Sequence, residues 1–141
     1  MTARMLTMAA VAVLTMGCGD DDSPTSPTDT TPATTAVTYA GTLDVGGSRF
    51  YSFTNGASGS VTAFLASVAS PDTRLPLTLP LEIGIGVPAG TGCALTTAQI
   101  VAPGLVSQMS ASLPAGVFCL RVADAGDLRG PVTFAVRFSH P

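Results

Sequence analysis

Two runs within residues 112–138 (SLPAGVFCLRVADAGDLRGPVTFAVRF) place apolar side chains at every second position. Phe118, Leu120 and Val122 share one face of an extended run, and Val132, Phe134, Val136 and Phe138 share one face of another, because side chains alternate along a strand. The pattern predicts two long strands at 117–124 and 132–138, preceded by a Pro-Ala-Gly turn and joined by a glycine-containing loop. Upstream, 37–43 places Val37, Tyr39, Gly41 and Leu43 on one face, and 49–54 follows after a Gly-Gly turn. The run 60–68 is apolar on both faces, with Val61, Ala63 and Leu65 alternating with Phe64, Ala66 and Val68, so it should lie inside a sheet. Residues 81–87 alternate again: Leu81, Ile83, Ile85 and Val87 point inward, and Glu82, Gly84 and Gly86 point outward. Bare outward glycines imply a close neighbour or a bend. Residues 70–80 and 88–107 read as mostly irregular, with a short strand at 97–101, and 108–113 supplies a further strand.

Outside the first residues, no window repeats apolar positions at helical spacing free of Gly or Pro. The composition, with 15 Gly and 11 Pro among 141 residues, also favours short strands and tight turns. The fold class expected is all-β, an antiparallel sandwich of seven or eight strands over residues 37–141.

The N-terminus has a different pattern. A short positive stretch, 1–4, precedes the apolar run 5–16, which is too short to span a bilayer and reads as a secretory signal over 1–17. Leu14-Thr15-Met16-Gly17-Cys18 resembles the lipobox of bacterial lipoproteins, in which the cysteine is acylated and becomes the first residue. That resemblance implies lipidation (palmitate or a related chain) at Cys18 and a membrane anchor of two or three chains, which holds where one would not. The segment 18–36 is Cys18 followed by GDDDSPTSPTDTTPATTA over 19–36, a polar linker unable to bury anything. Asp20-Asp21-Asp22 reads equally as a surface-export tag or as a solvated charge run, and Gly19 after the cysteine resembles an outer-membrane sorting choice. The localisation expected is the cell envelope, anchored by lipid, in the outer membrane with surface exposure.

Over the domain, Tyr39-Ala-Gly-Thr-Leu43, Gly47-Ser-Arg-Phe-Tyr-Ser-Phe53, Val61-Thr-Ala-Phe-Leu65, Leu113-Pro-Ala-Gly-Val-Phe-Cys-Leu-Arg-Val122 and Val132-Thr-Phe-Ala-Val136 resemble the bacterial pre-peptidase C-terminal (PPC) domains. The resemblance implies a jelly-roll-like sandwich of the kind appended to secreted enzymes and surface proteins, similar to the collagen-binding domains of secreted collagenases. This chain lacks the acidic cluster with which those relatives hold calcium.

Three cysteines in an exported chain divide into one lipid carrier, Cys18, and one disulfide pair, Cys93 with Cys119, fastening the 88–96 segment to the outer face or edge of the sheet. Candidate chemistry is sparse. The single histidine, His140, lies beside a terminus expected to fray. No Gly-x-Ser-x-Gly elbow occurs, and Ser58 sits in a simple glycine turn. Asp124 and Asp127 are a weak calcium candidate against the plainer reading of aspartates capping their own turn.

Residues 37–141 carry five acids and five arginines and no basic stripe, so no nucleic-acid partner is expected. Stacked-sugar sites favour exposed Trp or Tyr; here Trp is absent, and Tyr39 and Tyr51 face the core with Phe53, leaving Phe50 and Phe64 as partly exposed aromatics. The expected protein is a non-catalytic envelope or surface module for binding, adhesion or structure, with no cofactor and an unknown protein or glycan ligand. The alternative is an accessory subunit that recruits a substrate or glycan for a separate secreted enzyme.

Overall fold

The computed structural model describes residues 33–141, so the signal, Cys18 and most of the linker lie outside the described residues. Eight strands form: β1 (Thr35–Leu43), β2 (Ser48–Asn55), β3 (Gly59–Ala69), β4 (Leu81–Ala89), β5 (Gly92–Val101), β6 (Met109–Leu113), β7 (Gly116–Asp124) and β8 (Val132–His140). They pair antiparallel into two four-stranded sheets, ordered β1-β8-β3-β6 and β2-β7-β4-β5. This is the jelly-roll arrangement, and no helix occurs among the described residues. Every connection except the β4–β5 hairpin crosses from one sheet to the other. The two strongest sequence runs, β7 and β8, therefore face each other across the core instead of pairing.

The core is what the alternation demands. Leu43, Phe53, Val61, Ala63, Leu65, Leu81, Ile83, Ile85, Leu120, Val122, Val132, Phe134, Val136 and Phe138 are buried between the sheets. Burying each large aliphatic or aromatic side chain contributes roughly 1.5–3 kcal/mol. β3, apolar on both faces, lies inside its sheet between β8 and β6.

Two bulges shift the phase of the pattern. Between Leu65 and Ser67 the register of β3 on β8 slips, so Val68 turns inward and is buried, although simple alternation puts it on the outer face with Phe64. Gln108 fills the irregularity: its Oε1 accepts the Leu65 N–H at 2.8 Å while its Nε2 donates to the Ala102 carbonyl at 2.6 Å. A second slip between Ile85 and Gly86 turns Val87 out to 43% exposure, correcting its expected inward position.

Further differences concern strand ends. β1 starts at Thr35, two residues inside the stretch read as linker, because Thr35 and Ala36 pair with His140 and Ser139. The segment read as mostly loop contains β5, a ten-residue strand hairpinned to β4 through Gly90, whose φ of 56° suits the tight turn. His140 does not fray: it ends β8, and its ring packs 5.4 Å from Phe53 and 5.6 Å from Phe138.

Candidate binding site

Each residue type able to do chemistry has a defined place among the described residues. Cys93 and Cys119 are bonded, with Cα atoms 6.0 Å apart. They lie on β5 and β7, which flank β4, and next-nearest strands in a flat sheet are separated by about 9.5 Å. The start of β5 therefore folds over the outer face of β4. Gly84 and Gly86 make that possible: a Cβ on Gly84 would meet Leu95 Cδ1 at 2.8 Å, and one on Gly86 would run into the Ala94 carbonyl. Both the close neighbour and the bend implied by the bare glycines are present.

Asp124 is a cap for two turns. Its Oδ2 accepts the Gly46 N–H at 2.8 Å, and its Oδ1 accepts those of Gly126 and Leu128 at 2.8 and 3.3 Å. These amide bonds, that of Gly46 foremost, hold its pKa below the usual carboxylate value against a smaller opposing effect of desolvation. Asp127 is exposed, and no group of three or more His, Cys, Asp or Glu side chains forms among the described residues. Tyr39 and Tyr51 stack at 4.7 Å where the edges of the two sheets meet, and the Tyr51 hydroxyl donates to the Ala40 carbonyl. Burial pushes both phenols up, partly offset at Tyr51 by Arg49. Asn55, 1% exposed, donates from Nδ2 to the carbonyls of Ala57, Leu113 and Pro114, tying two turns together. Ser58 is exposed, and His140 Nδ1 lies 3.0 Å from the Pro141 carbonyl.

The outer faces of the sheets differ. On β2-β7-β4-β5, Arg121 pairs with Glu82 beside Phe50, which is 42% exposed. On β1-β8-β3-β6 the register sets Thr38 opposite Arg137 and Arg137 opposite Phe64, one rung across three strands. The next rung carries Ala36, Ser139 and Thr62. Arg137 is exposed because its neighbours Val136 and Phe138 point into the core, and it makes no ion pair with any described residue. Ala36, Val37, Thr38, Phe64, Arg137, Phe138 and Ser139 line an open cavity of about 200 Å³. Ala36 and Ser139 bring only small side chains to it, and Phe64 brings a half-buried aromatic ring.

Sequence reasoning identified Phe64 as partly exposed but gave Arg137 no role beyond its charge. The outward phase of β8 marks Arg137, yet its neighbours on β1 and β3 depend on strand order, which is not local information. Compared with known proteins, the chain matches no protein-family model and no curated protein.

Proposed function

We propose that the chain is a non-catalytic, lipid-anchored module of the bacterial cell envelope that binds a ligand through the outer face of its β1-β8-β3-β6 sheet. The observation that carries this reading is the contrast between engaged and open groups. The cysteines are bonded, Asp124 caps turns, Glu82 pairs with Arg121, and His140 stacks on phenylalanines, whereas Arg137 faces an open cavity with no acidic partner among the described residues. General acid–base work needs a base within reach of its target, and no described serine is hydrogen-bonded to His140.

Anchoring rests on Leu14-Thr15-Met16-Gly17-Cys18, and the proposed kinship with PPC domains on the residue runs quoted above together with a jelly-roll sandwich of the kind that resemblance implies. Cys18 carries the lipid, and the linker holds the sandwich off the membrane. The second reading, an accessory subunit recruiting a glycan or other substrate for a separate enzyme, draws on the same cavity.

Radiolabelled palmitate fed to cells should enter the wild-type chain and not Cys18→Ala; equal labelling of both ends the anchoring proposal. Pull-down from envelope extracts beside glycan and collagen arrays separates the two readings, a co-purifying secreted enzyme favouring the accessory role.

A further inference from the structure

We infer that the cavity beside Arg137 takes a six-membered ring bearing one carboxylate, an inference that rests on reading the chain as a binding module. Charge comes first. The guanidinium is a planar fork suited to two parallel bonds to a carboxylate. Thr38, Phe64, Ala36 and Ser139 around it supply no acid of their own. A phosphate would seek several cations, and here Arg137 is the one cation among the residues lining the cavity.

Shape follows from register. Phe64 stands directly across from Arg137, and cross-strand neighbours sit roughly 5 Å apart, so a ring lying on the phenyl face holds its carboxylate at the guanidinium. The cavity of about 200 Å³ equals the volume of roughly six or seven waters, room for one ring and its substituents and not for an extended chain. The hydroxyls of Thr38 and Ser139 on the rim donate or accept as the ring requires. Sugar acids and aromatic acids share this chemistry.

The test is calorimetric titration of the full-length chain in detergent with glucuronate and benzoate, beside the neutral partners glucose and benzyl alcohol. At least one acid should bind with a roughly millimolar Kd, as fits a ligand of this size, and its neutral partner about tenfold or more weaker. Preference for glucuronate assigns a sugar acid, and preference for benzoate an aromatic acid. Arg137→Gln should weaken the acid about tenfold and Phe64→Leu about threefold to fivefold. Arg137 is exposed, so its variant keeps the wild-type melting temperature. Absence of binding by both acids, equal binding of the neutral partner, or unchanged binding to Arg137→Gln overturns the inference. Palmitate labelling and pull-down are independent of these titrations, so loss of the cavity ligand leaves the broader reading standing.

Discussion

Gly86→Ala tests whether β5 really folds over β4. The new methyl would overlap the Ala94 carbonyl of β5, and ordinary contact returns only if that backbone retreats by about 1 Å or more. Retreat is opposed on two sides. Gly86 and Val87 are ladder partners of Leu95 and Ala94, and the adjacent Cys93 is bonded to Cys119. Overpacking of this kind costs roughly 1–3 kcal/mol, and one or two ladder bonds lost at about 1 kcal/mol each bring the total to about 2–5 kcal/mol. For a domain of this size that is a fall in Tm of roughly 8–25 °C. Gly84→Ala meets the movable Leu95 side chain first, though the Thr97 carbonyl lies 3.0 Å away, and should cost about 1–2 kcal/mol. With no tryptophan present, unfolding is followed by far-ultraviolet circular dichroism or tyrosine fluorescence in guanidinium. Reduction supplies the decisive arm. The cysteines are 26 residues apart, so the bond itself contributes about 3.5 kcal/mol in the chain-entropy description. Opening it also frees β5 to lift, so the Gly86→Ala penalty should shrink by about 1 kcal/mol or more in reduced protein. A Gly86→Ala variant within 0.5 kcal/mol of wild type, roughly the scatter of neutral surface changes, refutes the fold-over. So does a penalty unaffected by reduction.

Three further outcomes follow from the described contacts. Asn55→Ala leaves the Ala57, Leu113 and Pro114 carbonyls without their shared donor and should cost about 2–3 kcal/mol by denaturant titration, whereas an unchanged midpoint would make the turn-to-turn tie irrelevant. The folded-state pKa of Asp124 is depressed, so its stabilisation is present above the unfolded value of about 4 and is lost as pH falls through the folded value. Asp124→Asn should therefore be less stable than wild type at neutral pH and lose part of the acid-induced fall in Tm; identical Tm-against-pH curves would remove Asp124 from a capping role. Leu105, 90% exposed, should tolerate serine with a stability change inside about 0.5 kcal/mol, and a larger loss would show that its loop packs more tightly than described.

The layered fold was legible because a sandwich writes itself as alternation, and β8 and the first part of β3 alternate cleanly between buried and more exposed positions. The pattern misleads where a single extra residue enters a strand: the bulges at Leu65/Ser67 and Ile85/Gly86 reverse the expected facing of Val68 and Val87. Of β5 only the second half, 97–101, is legible, because an edge strand folded over its neighbour buries no full apolar face, and its residues are half-buried or exposed throughout. The disulfide was legible from the number of cysteines, but its path across β4 was visible only indirectly, through two bare glycines. The cavity was the least legible feature. Thr38, Arg137 and Phe64 lie far apart along the chain, and only the jelly-roll strand order sets them on one rung.

Thr35 and His140 are register partners, so the chain enters and leaves the sandwich at the same place. That makes the domain a natural cassette: a short linker would join its ends and allow a circular permutant, with new termini cut at the exposed Gly90, where even an added Cβ would meet no neighbouring atom. The same adjacency would let the whole sandwich be spliced into an exposed loop of a host protein without prying the host apart.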